Sequence, residues 1–499
     1  MAGRSVMSLQ TENTDSLGNS CMVKKSAGIE QDKDNVASKG VSRRSFMARG
    51  VAVGAAASAV GLGLTPQPAP AQTSGPVRAG ASGFEPLEVD SPMAKWKKPQ
   101  SLEFVEKATK NYSFPNWQSG SEDSIYFNLN IPEFFKCSYI APPKEFSKLE
   151  RAIDPSILDL AYTSVDGTPT PPLKEYLVGK RQVQAMMMAH KGKVVFEVYP
   201  GMNPTDIHIW MSASKPTVGL LVAMLADEGK IDLDAPVPTY VPEIRGSAWE
   251  QATVRNVMNM SSGLDIEETI ENLLNPDSWI AKWFTAGFEL NKGDFREMSK
   301  NAQALPDEPA GSHFRYSGAN TQTLVLLTQF VTGERWQTTW NERVWSKIGA
   351  KNAFITALAP DGTPLCAGMH NTTPEDLLRY TMIYTPSWNV VSDEQIISDR
   401  LLKSIQTMGN PEAYKGSTEE QYGTDWFGEV PDYNSAQWDH VFNDGAMFKH
   451  GNMGQGIYVD PSRDFCGMYF GLAPNPDEIS GVDHSPGFLR NAAKMLAGG

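Results

Sequence analysis

The chain has 499 residues, enough for two or three domains or for one large domain with an extension. Hydrophobic residues make up 40% and aromatic residues 10%, which supplies a sizeable core and excludes a chain that is disordered or membrane-embedded throughout. The formal charge of −14 would repel a phosphate backbone, so no nucleic-acid partner is expected.

Ser42-Arg43-Arg44-Ser45-Phe46-Met47 sets paired arginines before a hydrophobic residue. Residues 50–64 then form an uncharged run rich in Ala, Gly and Val, and Ala69-Pro70-Ala71 places small residues at the spacing a signal peptidase reads. Together these resemble a twin-arginine (Tat) export signal over residues 1–71, which implies a periplasmic or secreted protein. The run is too short for a comfortable transmembrane helix, and no later stretch is long and apolar enough. Stable membrane insertion is therefore not expected once the signal is removed. Of the four cysteines, Cys21 falls in this leader, leaving Cys137, Cys366 and Cys466. No pair has C-x-x-C spacing, so a single disulfide is possible but a disulfide framework is not.

Residues 72–110, rich in Pro, Gly, Ser and Lys, read as a linker or wrapped extension ahead of one domain over 111–499. Pro-Pro pairs at 142–143 and 171–172 mark loops. Residues 185–189 and 194–199 are strand-like runs separated by His190-Lys191-Gly192-Lys193, which predicts a hairpin. Residues 212–228 carry Val218, Leu221, Val222 and Leu225 at helical spacing, with Pro216 near the start and Gly229 as the stop. Residues 231–400 read as mainly helical, with apolar stripes at 323–330 and 377–383. Strands return at 456–459 and 466–472 around Asp460-Pro461-Ser462-Arg463-Asp464. Strands at both ends of a helical middle predict one sheet built from both ends.

Ser212 and Lys215 stand three residues apart at a predicted helix start and so share one face. An alcohol needs a nearby base to act as a nucleophile, and burial can lower a lysine pKa until it is that base. The helix start also offers N–H groups to a developing oxyanion. A lone Ser-x-x-Lys arises by chance in a chain of this length, where the bland reading is an N-cap serine beside a solvated lysine. The surroundings decide otherwise.

Trp210-Met211-Ser212-Ala213-Ser214-Lys215 is followed by Leu225-Ala226-Asp227-Glu228-Gly229-Lys230-Ile231-Asp232-Leu233-Asp234-Ala235-Pro236-Val237 and Tyr240-Val241-Pro242-Glu243. Thr253-Val254-Arg255-Asn256-Val257-Met258-Asn259-Met260-Ser261-Ser262-Gly263-Leu264 continues the pattern. These blocks resemble the serine β-lactamase and penicillin-binding protein superfamily, in the branch of class C β-lactamases, family VIII esterases and 6-aminohexanoate-dimer hydrolases. Tyr316-Ser317-Gly318-Ala319-Asn320 looks like that family's Tyr-x-Asn block, with Gly318 in place of the Asn. Lys449-His450-Gly451-Asn452 resembles the Lys-Thr-Gly strand, with His in place of Thr. The similarity spans roughly 182–475 and is weakest over 265–310 and 385–445.

The resemblance implies a mixed α/β (α+β) fold of β-lactamase type: an antiparallel sheet flanked by helices, plus an all-helical region, with the site between them. It implies Ser212 as nucleophile, Lys215 as base and Tyr316 as the group passing protons to the leaving group. It places the oxyanion hole at the N–H groups of Ser212 and Asn452. Lys449, His450 and Gly451 would bind substrate, the first two holding a substrate carboxylate or steadying the intermediate. No metal or organic cofactor is expected. His208, His313, His370, His440 and His484 lack metal-ligand spacing and read as structural or surface residues. Glu267 and Glu268 read as a solvated loop face, and Trp210, Trp426 and Trp438 as core or pocket wall. The departures at Gly318 and His450 favour a small-molecule ester or linear amide as substrate, oligomers of 6-aminohexanoate type included. The alternatives are a β-lactamase or D-Ala-D-Ala carboxypeptidase, or a non-catalytic module that recognises peptides or cell-wall fragments.

Overall fold

The apolar runs at the two ends of the predicted domain meet in one sheet. A computed structural model describes residues 86–179, 182–288, 294–472 and 483–498; the export-signal residues lie outside them. The strands are β1 Cys137–Ile140, β2 Glu150–Arg151, β3 Gln182–His190, β4 Lys193–Val198, β5 His208–Ile209 and β6 Phe354–Ala357. They continue with β7 His370–Thr372, β8 Tyr433–Ser435, β9 Trp438–Val441, β10 Met447–Gly451, β11 Gln455–Asp460 and β12 Phe465–Leu472. The main sheet runs β2-β4-β3-β12-β11-β10-β9-β8, antiparallel except at β2–β4. The predicted hairpin is β3–β4. Its turn puts Lys191 at φ 48° and Gly192 at φ 72°, the backbone that suits a two-residue connection.

The helices that matter for the site are α1 Leu102–Asn111, α2 Glu122–Leu129, α3 Lys215–Asp227 and α4 Trp279–Phe288. They continue with α5 Gly318–Thr332, α6 Pro374–Met382, α7 Thr418–Phe427 and α8 Ser485–Leu496. Along β3, Ala185, Met187 and Ala189 enter the core shared with Leu377, Leu378 and Tyr380 of α6. Met186 and Met188 enter the core shared with Phe488, Leu489 and Ala492 of α8. Each such methionine contributes about 1.5–3 kcal/mol by leaving water. Both sheet faces are covered, which is why β3 and β12 read as unbroken apolar runs rather than alternating ones. Helix α3 is buried from Lys215 to Leu225 and packs against α5 in the helical region.

The helical middle also carries strands that its sequence did not announce. There β6 and β7 join β1 and β5, from earlier in the chain, in a small sheet of order β1-β6-β7-β5. Residues 86–110 fold onto the body: Pro92–Lys97 forms a 3₁₀ turn, α1 follows, and Met93, Trp96 and Ala108 enter the same core as α3. Cys137, Cys366 and Cys466 are free thiols, so no disulfide joins them. No helix among the described residues is long and apolar enough to cross a membrane.

Candidate active site

Ser212 lies on the 3₁₀ turn Met211–Ser214, between β5 and α3. The turn is anchored from behind by Trp210, whose backbone N–H donates to His370 O at 2.8 Å and whose Nε1 donates to Thr372 Oγ1 at 2.8 Å. Trp210 also stacks on Tyr380, with ring centroids 5.7 Å apart. Met211 then takes φ 48°, a left-handed conformation unusual for a residue with a side chain. The chain turns sharply there and leaves Ser212 half-buried at the front of α3.

Lys215 is fully buried, and its Nζ donates to Ser212 Oγ at 2.9 Å and to Ala367 O at 2.6 Å. Burial pulls its pKa down from the usual lysine range to about 7, against the raising effect of Glu268; Lys449 lowers it further. A neutral amine is therefore available near neutral pH, in contact with the hydroxyl it would deprotonate. Tyr316 sits directly before α5 and hydrogen-bonds Ser212 from the other side. Its ring lies between two amines, 5.0 Å from Lys215 Nζ and 4.6 Å from Lys449 Nζ. Burial, with Asp439 and Glu268 nearby, holds its hydroxyl well above the usual phenol range, so it stays protonated and suits proton donation better than the role of base.

Lys449 on β10 donates to Tyr316 Oη at 3.0 Å, which connects the predicted strand motif to the catalytic candidates. Its ammonium also meets both oxygens of buried Asp439, at 2.6 and 2.7 Å. The Lys449 ammonium thus has a carboxylate partner within the protein. Asp439 Oδ2 further accepts the His450 N–H at 3.0 Å. Asp439 was not singled out from sequence, although a signal exists. A hairpin turning at Asp444-Gly445 places residue 439 opposite 449, one step beyond the observed Phe448↔His440 pair.

Gly451 ends β10 against the nucleophile turn. A Cβ there would stand 2.5 Å from Trp210 O and 3.0 Å from Met211 Cβ, so the close approach requires glycine. The His450 ring packs on Trp426 with centroids 4.4 Å apart. Asn452 is exposed in the following turn and its side-chain amide donates to Gln118 Oε1, from the segment between Phe114–Trp117 and α2. Trp210 and Trp438 are core residues.

Glu267 and Glu268 do not form a solvated face. Glu267 ion-pairs with Arg315 at 2.6 Å, while Glu268 Oε1 accepts the Gly318 N–H and the Glu268 N–H donates to Tyr316 O at 2.9 Å. His208 and His370 are buried, with pKa values held down to about 4 and about 3 by burial, which fits structural roles. Among the described residues, Glu419, Asp439 and His440 offer donor atoms within 4.8 Å of one another. A cation placed there would face the Lys449 ammonium that Asp439 already holds, so the trio suits a charge cluster better than a metal centre.

The family model described as Beta-lactamase matches residues 176–479. The 6-aminohexanoate-dimer hydrolase of Paenarthrobacter ureafaciens is 28% identical over 315 residues, which is 62% of this chain and 78% of that protein. A solved structure from Bacillus anthracis, provisionally assigned as a 6-aminohexanoate-dimer hydrolase, shares the fold. It has a TM-score of 0.61 at 22% identity and covers 77% of this chain and 97% of its own. A Bacteroides dorei structure provisionally assigned as a β-lactamase gives a TM-score of 0.49 at 18% identity, over 64% of this chain and 94% of its own.

Proposed function

The chain belongs to the β-lactamase family, as a serine hydrolase, and on that footing we propose that it cleaves linear amides or carboxylic esters through an acyl-enzyme on Ser212. The observation that carries this reading is the unbroken contact chain Lys215–Ser212–Tyr316–Lys449–Asp439, with a buried amine titrating near 7 at one end.

In the proposed reaction Lys215 Nζ takes the Ser212 proton as Oγ attacks the substrate carbonyl carbon. The carbonyl oxygen becomes an oxyanion and accepts the N–H groups of Ser212 and Asn452; losing one such donor typically costs about 10²–10³ in rate. The tetrahedral intermediate collapses by breaking its bond to the amine or alcohol, which leaves with a proton from Tyr316. Lys215 then gives the proton it holds to the Tyr316 phenolate, beside whose ring its Nζ lies, so that both groups recover their starting forms. Water then adds to the acyl-enzyme by the same route and releases the acid.

Two observations favour a linear amide or ester over a β-lactam. The curated relative is named for an amide substrate, and Asp439 occupies the ammonium that a lactam carboxylate would otherwise engage. Ser212→Ala, assayed on esters, linear amides including 6-aminohexanoate oligomers, D-peptides and nitrocefin, is expected to lose all turnover while keeping the wild-type circular dichroism spectrum. Retained turnover would remove Ser212 as nucleophile. Nitrocefin turnover matching ester turnover in the wild type would make the protein a β-lactamase, and absence of covalent labelling by a fluorophosphonate would make it a recognition module.

A further inference from the structure

Glu268 lies outside the three motifs, yet it holds the turn that carries Tyr316 at two points. Its N–H donates to Tyr316 O at 2.9 Å, and its carboxylate accepts the N–H of Gly318, the first residue of α5. A carboxylate at the start of a fifteen-residue helix is favoured by the aligned peptide dipoles. Gly318 leaves room for it: a Cβ at that position would stand 2.9 Å from Glu268 Oε1 and 3.1 Å from Ala367 Cβ. Ala367 is also the residue whose carbonyl accepts from Lys215 Nζ at 2.6 Å. The carboxylate, the start of α5 and the lysine's second anchor thus share one small volume.

We infer that Glu268 is a positioning residue, its carboxylate seated in the space left by Gly318 so as to fix Tyr316 and to set the charge around Lys215. The inference rests on Lys215 acting as the base for Ser212. Four charged groups face that amine: Glu268 from the loop before α4, Lys449 from β10, Asp439 from β9 and Glu419 from α7. Glu268 acts on it most strongly of the four and favours the protonated form, opposing the burial that strips the proton away. Tyr316 and Ser212 complete the surroundings. The two effects of Glu268 act in one place. It keeps Lys215 from becoming too weak a base, and it keeps the Tyr316 hydroxyl in contact with Ser212.

The test is the pH dependence of Ser212 labelling by a fluorophosphonate, with kcat/KM for a p-nitrophenyl ester measured alongside, in full-length wild type, Glu268→Gln and Gly318→Ala. Glutamine keeps an acceptor for the Gly318 N–H but removes the charge that holds the Lys215 proton. The amine then becomes neutral at lower pH, so the acid limb of both profiles should move to lower pH by about one unit, the low end of what a close opposite charge produces. Gly318→Ala displaces the carboxylate without altering it and should move the limb in the same direction. Acid limbs that stay in place in both variants would overturn the inference, whether or not the plateau falls, since a purely structural role lowers the plateau alone. A wild-type protein left unlabelled at every pH would overturn the serine-hydrolase reading instead, and this inference with it.

Discussion

Asp439 gives Lys449 a partner within the protein. Both groups are buried, and the ion pair is made with both carboxylate oxygens. Such a pair is weak evidence for stability, because desolvation offsets most of the attraction, but removing one partner leaves a charge stranded in low dielectric. Asp439→Asn is therefore expected to destabilise the protein by about 3–5 kcal/mol in denaturant unfolding. Adding Lys449→Met should recover much of that stability while leaving the enzyme inactive, since Tyr316 then loses its donor. A double variant no more stable than Asp439→Asn would mean that the pair is not the source of the loss. These residues also show where the sequence was readable. Ser212, Lys215, Tyr316 and Lys449 stand in local motifs whose spacing survives in one dimension. Asp439 meets its partner only across a hairpin, and Glu268 meets a backbone N–H that lacks an intrahelical acceptor because α5 begins at Gly318.

Among the elements, the end of β10 and the turn Met211–Ser214 form the tightest joint at the site. Gly451 passes so close to Trp210 O that any side chain must push strand and turn apart. Gly451→Ala is expected to separate the Asn452 N–H from the Ser212 N–H and to lower kcat by about 10²–10³, the cost of losing one oxyanion donor. The overpacking itself should cost about 1–3 kcal/mol in unfolding experiments, so a folded but slow enzyme is the expected product. Unchanged kcat in that variant would remove Asn452 from the oxyanion hole. The joint also explains what was legible among the strands. β3, β4, β11 and β12 are apolar on both faces and bounded by turn residues, so their sequences mark them plainly. β5 and β7 are two and three residues long and hold His208, His370, Asn371 and Thr372, too short and too polar to carry a strand pattern. Their role is positional: β7 supplies the acceptors that anchor Trp210 behind the nucleophile.

For the molecule as a whole, residues 86–175, the described residues that precede the family match, pack into the fold rather than trail from it. Trp96 packs edge-on to Phe104 of α1, which packs edge-on to Tyr126 of α2, with centroids 5.8 and 5.7 Å apart. Farther along, Phe114 meets Phe284 of α4 at 5.2 Å and Gln118 meets Asn452, so this segment touches both the helical region and the turn after β10. Residues 72–110 read as a linker or wrapped extension because Pro, Gly, Ser and Lys are frequent there, and among those described Met93, Trp96 and Ala108 enter the core. This bears on the proposed export. Cleavage after Ala71 would fall before Leu87, the first buried side chain among the described residues, and would leave this packing untouched. Protein recovered from the periplasm is expected to begin near Gln72 on N-terminal sequencing, with the kcat/KM and unfolding midpoint of the full chain. Removal of residues 1–111 should instead open the core at Met93, Trp96 and Ala108, where truncating a buried tryptophan alone costs about 3–5 kcal/mol. That shortened chain should unfold at markedly lower denaturant and lose activity as its core loosens. Wild-type stability and turnover in it would return the segment to the status of a linker, and full-length protein confined to the cytoplasm would overturn the export proposal.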